Sequence, residues 1–221
     1  MAKVDAQPYE FELEPASAAL VIIDMQRDFV DPGGFGEALG NDVSLLRKAI
    51  APTRRALDGA RRHEMLVIHT REGHRPDLSD LPPSKKLRGR LKNGIGDPGP
   101  MGRILVRGEY GHDIIDALRP IPGEIVLDKA SYGAFCGTNC ERILRGRGVE
   151  TLFFAGVTAD VCVHTTLREA CDRWFSCNYV KDAISCPDPG IRSACEKMIE
   201  EEGGIWGSLT TVEETIGLWR P

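Results

Sequence analysis

The sequence has no excess of positive charge: 28 Lys and Arg stand against 33 Asp and Glu, for a formal net charge of -5. Binding along a phosphate backbone needs the opposite balance, so no nucleic-acid partner is expected. A long hydrophobic run is also missing. The continuous apolar stretch at residues 18–23 is six residues, against the ~20 of a membrane-spanning helix. No basic segment followed by a longer apolar stretch opens the chain, so neither a signal peptide nor a membrane partner is expected. None of the seven cysteines shows C-x2-C zinc spacing, and the chain is too large for a disulfide-stapled mini-domain. Reduced thiols in a cytoplasmic protein are the expectation. Internal repeats and low-complexity tracts are missing too.

What is present is ordinary for a globular protein: 42% hydrophobic and 28% charged residues, with a mean hydropathy of -0.23. A length of 221 residues suits one domain, 1–221, with one large core. Short β-branched runs alternate with stretches of helical period. Strands are expected at 18–23, 65–69, 124–127, 151–155, 177–180 and 205–209. Helices are expected at 43–62, 139–146, 162–174 and 192–201, with a last one from Val212. Asn41 or Asp42 is available as a cap for the first. This rhythm predicts an α/β fold: a three-layer α/β/α domain with a mostly parallel, Rossmann-like six-stranded sheet. Residues 73–111, rich in Gly, Pro, Lys and Arg, break the rhythm and are expected to cover the site or contact another subunit.

In such sheets ligands bind beyond the carboxyl ends of the strands. Three of those ends carry chemistry. Asp24 follows the first strand, Lys129 follows the strand near 125–128, and Cys162 opens a helix just past 151–155. If strand order brings them together, a carboxylate, an ammonium and a thiol share one pocket. A helix start and a nearby ammonium both favour thiolate, and Asp24 can take the thiol proton and return it to a leaving amine. Backbone N–H groups at 157–162 are candidates for an oxyanion hole. Taken singly, each residue has a plainer role, as a helix cap, a solvated lysine or a small buried hydrophobe.

At these residues the sequence resembles the isochorismatase-like cysteine hydrolases, over about residues 15–217. The resemblance implies that Cys162 is the nucleophile, Asp24 the general base and acid, and Lys129 the stabilising charge. It also implies a cis peptide at Val157–Thr158 beside the oxyanion donors. Members usually form dimers or tetramers, so a homo-oligomer, with a homotetramer as one form, is the implied assembly. Nicotinamidases of this superfamily carry a metal-binding Asp-x-His with a second His. Here Thr70-Arg-Glu-Gly-His74 lacks that second His, so no metal and no cofactor are expected, and His69 and His74 are read as structural or pocket residues.

Segments 69–78, 94–100, 103–108 and 112–115 further resemble the bacterial biuret hydrolase group, which includes triuret hydrolases. The implied substrate is a small linear ureide. Biuret hydrolases carry a substrate-contacting glutamine where this chain has Glu202. A carboxylate accepts two N–H bonds, which favours triuret over biuret. Glu202 also reads as part of the solvated run 200–202 at a helix end. Phe29 and Phe35 are expected as apolar walls or core. Ureidoacrylate or another carbamoyl amide is the rival substrate, with Arg71, Arg75 or Arg107 to meet a carboxylate. Outside this chemistry stand a catalytically dead interaction protein and a redox protein resolving through Cys136 or Cys140.

Overall fold

A computed structural model describes residues 2–4, 6–9, 11–86 and 93–219. Its centre is a six-stranded sheet of β1 (Ala18–Ile23), β2 (Leu66–Glu72), β3 (Ile125–Lys129), β4 (Thr151–Val157), β5 (Ser176–Ser185) and β6 (Ser208–Thr210), in the order β6-β5-β4-β1-β2-β3. Every pairing within it is parallel. The order reverses between β1 and β4, and that switch point is where an open α/β sheet leaves a crevice. An antiparallel pair at Ala2–Val4 and Phe11–Leu13 precedes the sheet and was not foreseen in the sequence.

Alternation along the strands divides the core. Leu20 and Ile22 of β1, with Val67, Phe153 and Val180, face Ala56, Leu57 and Ala60 of α1 (Ile50–Arg62) and Leu218 of the C-terminal helix (Val212–Leu218). Ala19, Val21 and Ile23, with Ile68 and Phe154, face Leu144 of α2 (Cys140–Gly146), Leu167 of α3 (His164–Cys171) and Ile199 of α4 (Pro189–Gly204). β1 is buried on both sides along its whole length, which is why it reads as an unbroken apolar run. Complete burial of a side chain such as Leu57 contributes about 1.5–3 kcal/mol.

Several boundaries differ from the sequence reading, each for a visible reason. The helix expected at 43–62 is a turn at Val43–Leu46, a 3-10 turn at Arg47–Ala49 and then α1. Asp42 caps its start by accepting from the Ser44 N–H. Pro52 has no N–H to bond four residues back, and the chain tightens just ahead of it. β2 runs three residues beyond His69 because Thr70, Arg71 and Glu72 find side-chain partners for their polar groups. β5 continues past residue 180 to Ser185, pairing Ile184 with Gly156 after an irregularity in β4. Gly156 is required at that irregularity: its φ is +112, and a Cβ there would overlap the Ile23 carbonyl.

Candidate active site

Four adjacent strand ends meet on the carboxyl side of the sheet, in the order Cys162 after β4, Asp24 after β1, Glu72 ending β2 and Lys129 ending β3. The three residues expected to converge do so. The strand between Asp24 and Lys129 adds a fourth, Glu72, which sequence reasoning missed. Its position past the apolar part of β2 gave no periodic signal. The one available clue was the run of polar residues directly after a buried strand.

Asp24 lies just past β1 with a left-handed φ of 45, a conformation that Asp tolerates better than most residues. It is locked by Thr70, whose hydroxyl donates to Asp24 Oδ1 at 2.6 Å and accepts from the Asp24 N–H at 3.1 Å. Lys129 Nζ is 2.7 Å from Asp24 Oδ2 and 3.5 Å from Glu72 Oε2, and donates to the carbonyls of Ser131 and Tyr132. Glu72 Oε1 accepts from Lys85 Nζ at 2.6 Å, and Lys85 also donates to the Ala130 carbonyl. Gln26 clamps the end of β2: its amide donates to the carbonyls of Glu72 and His112, and its Oε1 accepts from the Glu72 N–H. The Cys162 thiol donates to Glu72 Oε2 at 3.3 Å.

Cys162 does not open an α-helix as expected. It sits within a π-helical turn, Ala159–Val163, that leads into α3. The peptide Val157–Thr158 just ahead is cis. The surroundings of the thiol also do not favour thiolate. Burial pushes its pKa well up, and the Asp24 and Glu72 carboxylates add to the rise against the pull of Lys129. Burial likewise raises Asp24, offset in part by Lys129. Glu72 is held below its ordinary value even though burial opposes ionisation, because Lys129 and Lys85 both lie beside it. The two carboxylates therefore have different characters, one disposed to hold a proton and one to stay charged. Moving a proton from the thiol to Asp24 leaves the charge of the buried group unchanged.

A cavity of about 540 Å³ opens above this group, lined among others by Cys162, Glu72, Lys85, Lys86, Phe29 and Phe35, together with Val157 and Thr158. Phe29 and Phe35 meet edge to face, with centroids 6.1 Å apart. Lys85, Lys86, Gly94 and Ile95 belong to the irregular 73–111 segment, which thus supplies one wall; residues 87–92 lie outside the described residues. Glu202 is not brought to the site. It is exposed at a kink in α4, with a φ of 51, because the helix breaks there before turning into β6. None of the three candidate arginines lines the cavity. Arg71 is paired with Asp128 and Asp113, Arg107 is paired with Asp80, and Arg75 is exposed. Cys136 and Cys140 are absent from its walls as well. His69 and His74 are buried against Glu124 and Asp80.

Asp24, Glu72 and Cys162 bring ligand atoms within 4.8 Å of one another, a span that a divalent ion could bridge. The set does not fit one well, because two lysine ammonium groups already occupy the carboxylate oxygens.

A parallel sheet that gathers a buried thiol, carboxylate and ammonium at its carboxyl edge defines a hydrolase built around a cysteine. The comparisons with known proteins agree. The isochorismatase domain model matches residues 18–210. The chain is 33% identical over 218 residues to the ureidoacrylate amidohydrolase RutB of Agrobacterium fabrum, covering 96% of this chain and 94% of that one. A cysteine hydrolase from Pseudomonas syringae pv. phaseolicola superposes with a TM-score of 0.79 at 26% identity, covering 95% of each chain. N-carbamoylsarcosine amidase from Thermoplasma acidophilum gives 0.68 at 26% identity, covering 89% of this chain and 97% of that one. The chain belongs to the isochorismatase-like cysteine hydrolase family.

Proposed function

We propose that this protein is a cysteine-dependent amidohydrolase that cleaves the terminal carbonyl–NH2 bond of small linear ureides. The observation that carries this reading is the Cys162 thiol standing beside the 2.7 Å Asp24–Lys129 pair at the floor of a part-apolar cavity. Asp24 takes the thiol proton as Cys162 attacks the carbonyl, and Lys129 holds the carboxylate in place. N–H groups of the turn at 158–162 receive the oxyanion, where each such donor is worth about 2.7–4 kcal/mol in other hydrolases. Asp24 then protonates the departing ammonia, and water releases the acyl group from sulfur. Urea-type carbonyls are poor electrophiles, so positioning and oxyanion binding carry most of the load.

Triuret, giving carboxybiuret and ammonia, and then biuret are the neutral substrates of first choice. The carboxylate at 202 lies outside the cavity and does not support a preference between them. A second reading is a ureide carrying a carboxylate, as in ureidoacrylate. Lys86 favours it, since it lines the cavity with no ion pair among the described residues. Ammonia release measured across triuret, biuret, ureidoacrylate and nicotinamide, in the wild type and in Cys162→Ser, tests the proposal. Turnover of a ureide by the wild type alone is expected. Full activity in the serine variant would sink the assignment.

A further inference from the structure

The thiol's carboxylate contact in the cavity is Glu72, and nothing in the mechanism above uses it. Resting on the ureide reading, we propose that Glu72 is the acceptor that binds the N–H groups of the carbamoyl being cleaved, and so selects amides over esters and over N,N-dialkyl amides. Attack places the carbonyl carbon about 3–3.5 Å from Sγ, with the leaving nitrogen one bond away. Glu72 lines the cavity and its Oε2 is 3.3 Å from Sγ, so a substrate seated on the thiol can bring that nitrogen within hydrogen-bonding range of it.

The carboxylate is fixed in place. Lys85 holds Oε1 at 2.6 Å and is itself anchored on the Ala130 carbonyl, while Gln26 clamps the backbone on both sides. Flanked by two ammonium groups, it stays ionised and can only accept hydrogen bonds. An NH2 group satisfies it. An ester oxygen or a dimethylated nitrogen would set lone pairs or methyl groups against a buried charge, which is a strong basis for rejection.

The test compares Glu72→Gln with the wild type on the best ureide of the panel and on its N,N-dimethyl analogue, the latter used as a competitive inhibitor. The kcat/KM for the ureide is expected to fall ~10–100-fold, while the analogue's Ki changes by less than about threefold. Alkylation of Cys162 by iodoacetamide persists in the variant and its pH profile moves downward, since a negative neighbour of the thiol has been removed. A structural defect would not produce that shift. Glu72→Asp keeps the charge but withdraws it by one methylene, so it is expected to lose the preference without moving the profile. Equal losses for ureide and analogue, an unchanged kcat/KM, or failure of both variants to fold would overturn the proposal. If the wild type released ammonia from no ureide at all, the ureide reading itself would fall and this assignment with it.

Discussion

Replacing Lys129 by Met removes the cation that, among the described residues, faces both Asp24 and Glu72. At an effective dielectric near 20, the contacts at 2.7 and 3.5 Å correspond to about 6 and about 5 kcal/mol of gross attraction. Desolvation of the ammonium offsets much of this, and breaking a buried pair typically costs about 3–5 kcal/mol net. That is a large share of the ~5–15 kcal/mol that holds a domain folded, and corresponds to a fall in Tm of roughly 6–20 °C for a chain of this size. The loss depends on pH. Without Lys129, the folded-state pKa of Asp24 rises further above its unfolded value, so the variant recovers as Asp24 takes up a proton and loses stability as pH rises through that folded value. Urea denaturation at pH 5 and pH 8, each compared with wild type at the same pH, should show the larger deficit at pH 8. Equal deficits at the two pH values, or a deficit below ~1 kcal/mol at pH 8, would refute the account of Lys129 as the counter-charge of a buried carboxylate.

Two other buried groups give opposite pH slopes. Burial, reinforced by Arg71, pushes His112 from 6.5 down to about 4, so about 3 kcal/mol of stability is present above pH 6.5 and lost as pH falls toward 4. Burial raises Asp28 from 3.8 to about 6 even though it accepts from the Leu105 N–H. Its contribution, also about 3 kcal/mol, is present below pH 3.8 and lost as pH rises through 6. Asp28→Asn should therefore steepen acid destabilisation between pH 6.5 and 4, and His112→Asn should reverse it, as read by thermal melts across that range; slopes of the same sign would contradict both. Glu202→Gln should leave turnover of every ureide within about twofold of wild type, because a surface substitution away from the cavity perturbs little. A change of substrate preference would restore position 202 to the site.

The sequence was enough to place Asp24, Lys129 and Cys162 at the functional edge of a parallel sheet, because a strand buried on both faces announces itself as an apolar run and its end is then visible. It was also enough for the six-strand, alternating architecture. It could not show Glu72, Thr70 or Lys85, since polar residues that continue a strand look like a loop until their partners are known. Thr70 is satisfied by Asp24, 46 residues away, and Glu72 by Lys85 from the irregular segment. The same limit misplaced Glu202, whose role in the resemblance depended on which way a helix end turns.

The charge state of the thiol was likewise a tertiary matter. Local features, a helix start and a lysine, argue for thiolate, whereas complete burial between two carboxylates pushes the thiol's pKa up. What the sequence alone determined is therefore the fold and the three side chains gathered at its strand ends, which follow from short-range pattern. Only the tertiary structure decided their protonation, their counter-ions and the walls of the cavity, because these depend on desolvation and on contacts between residues far apart in the chain.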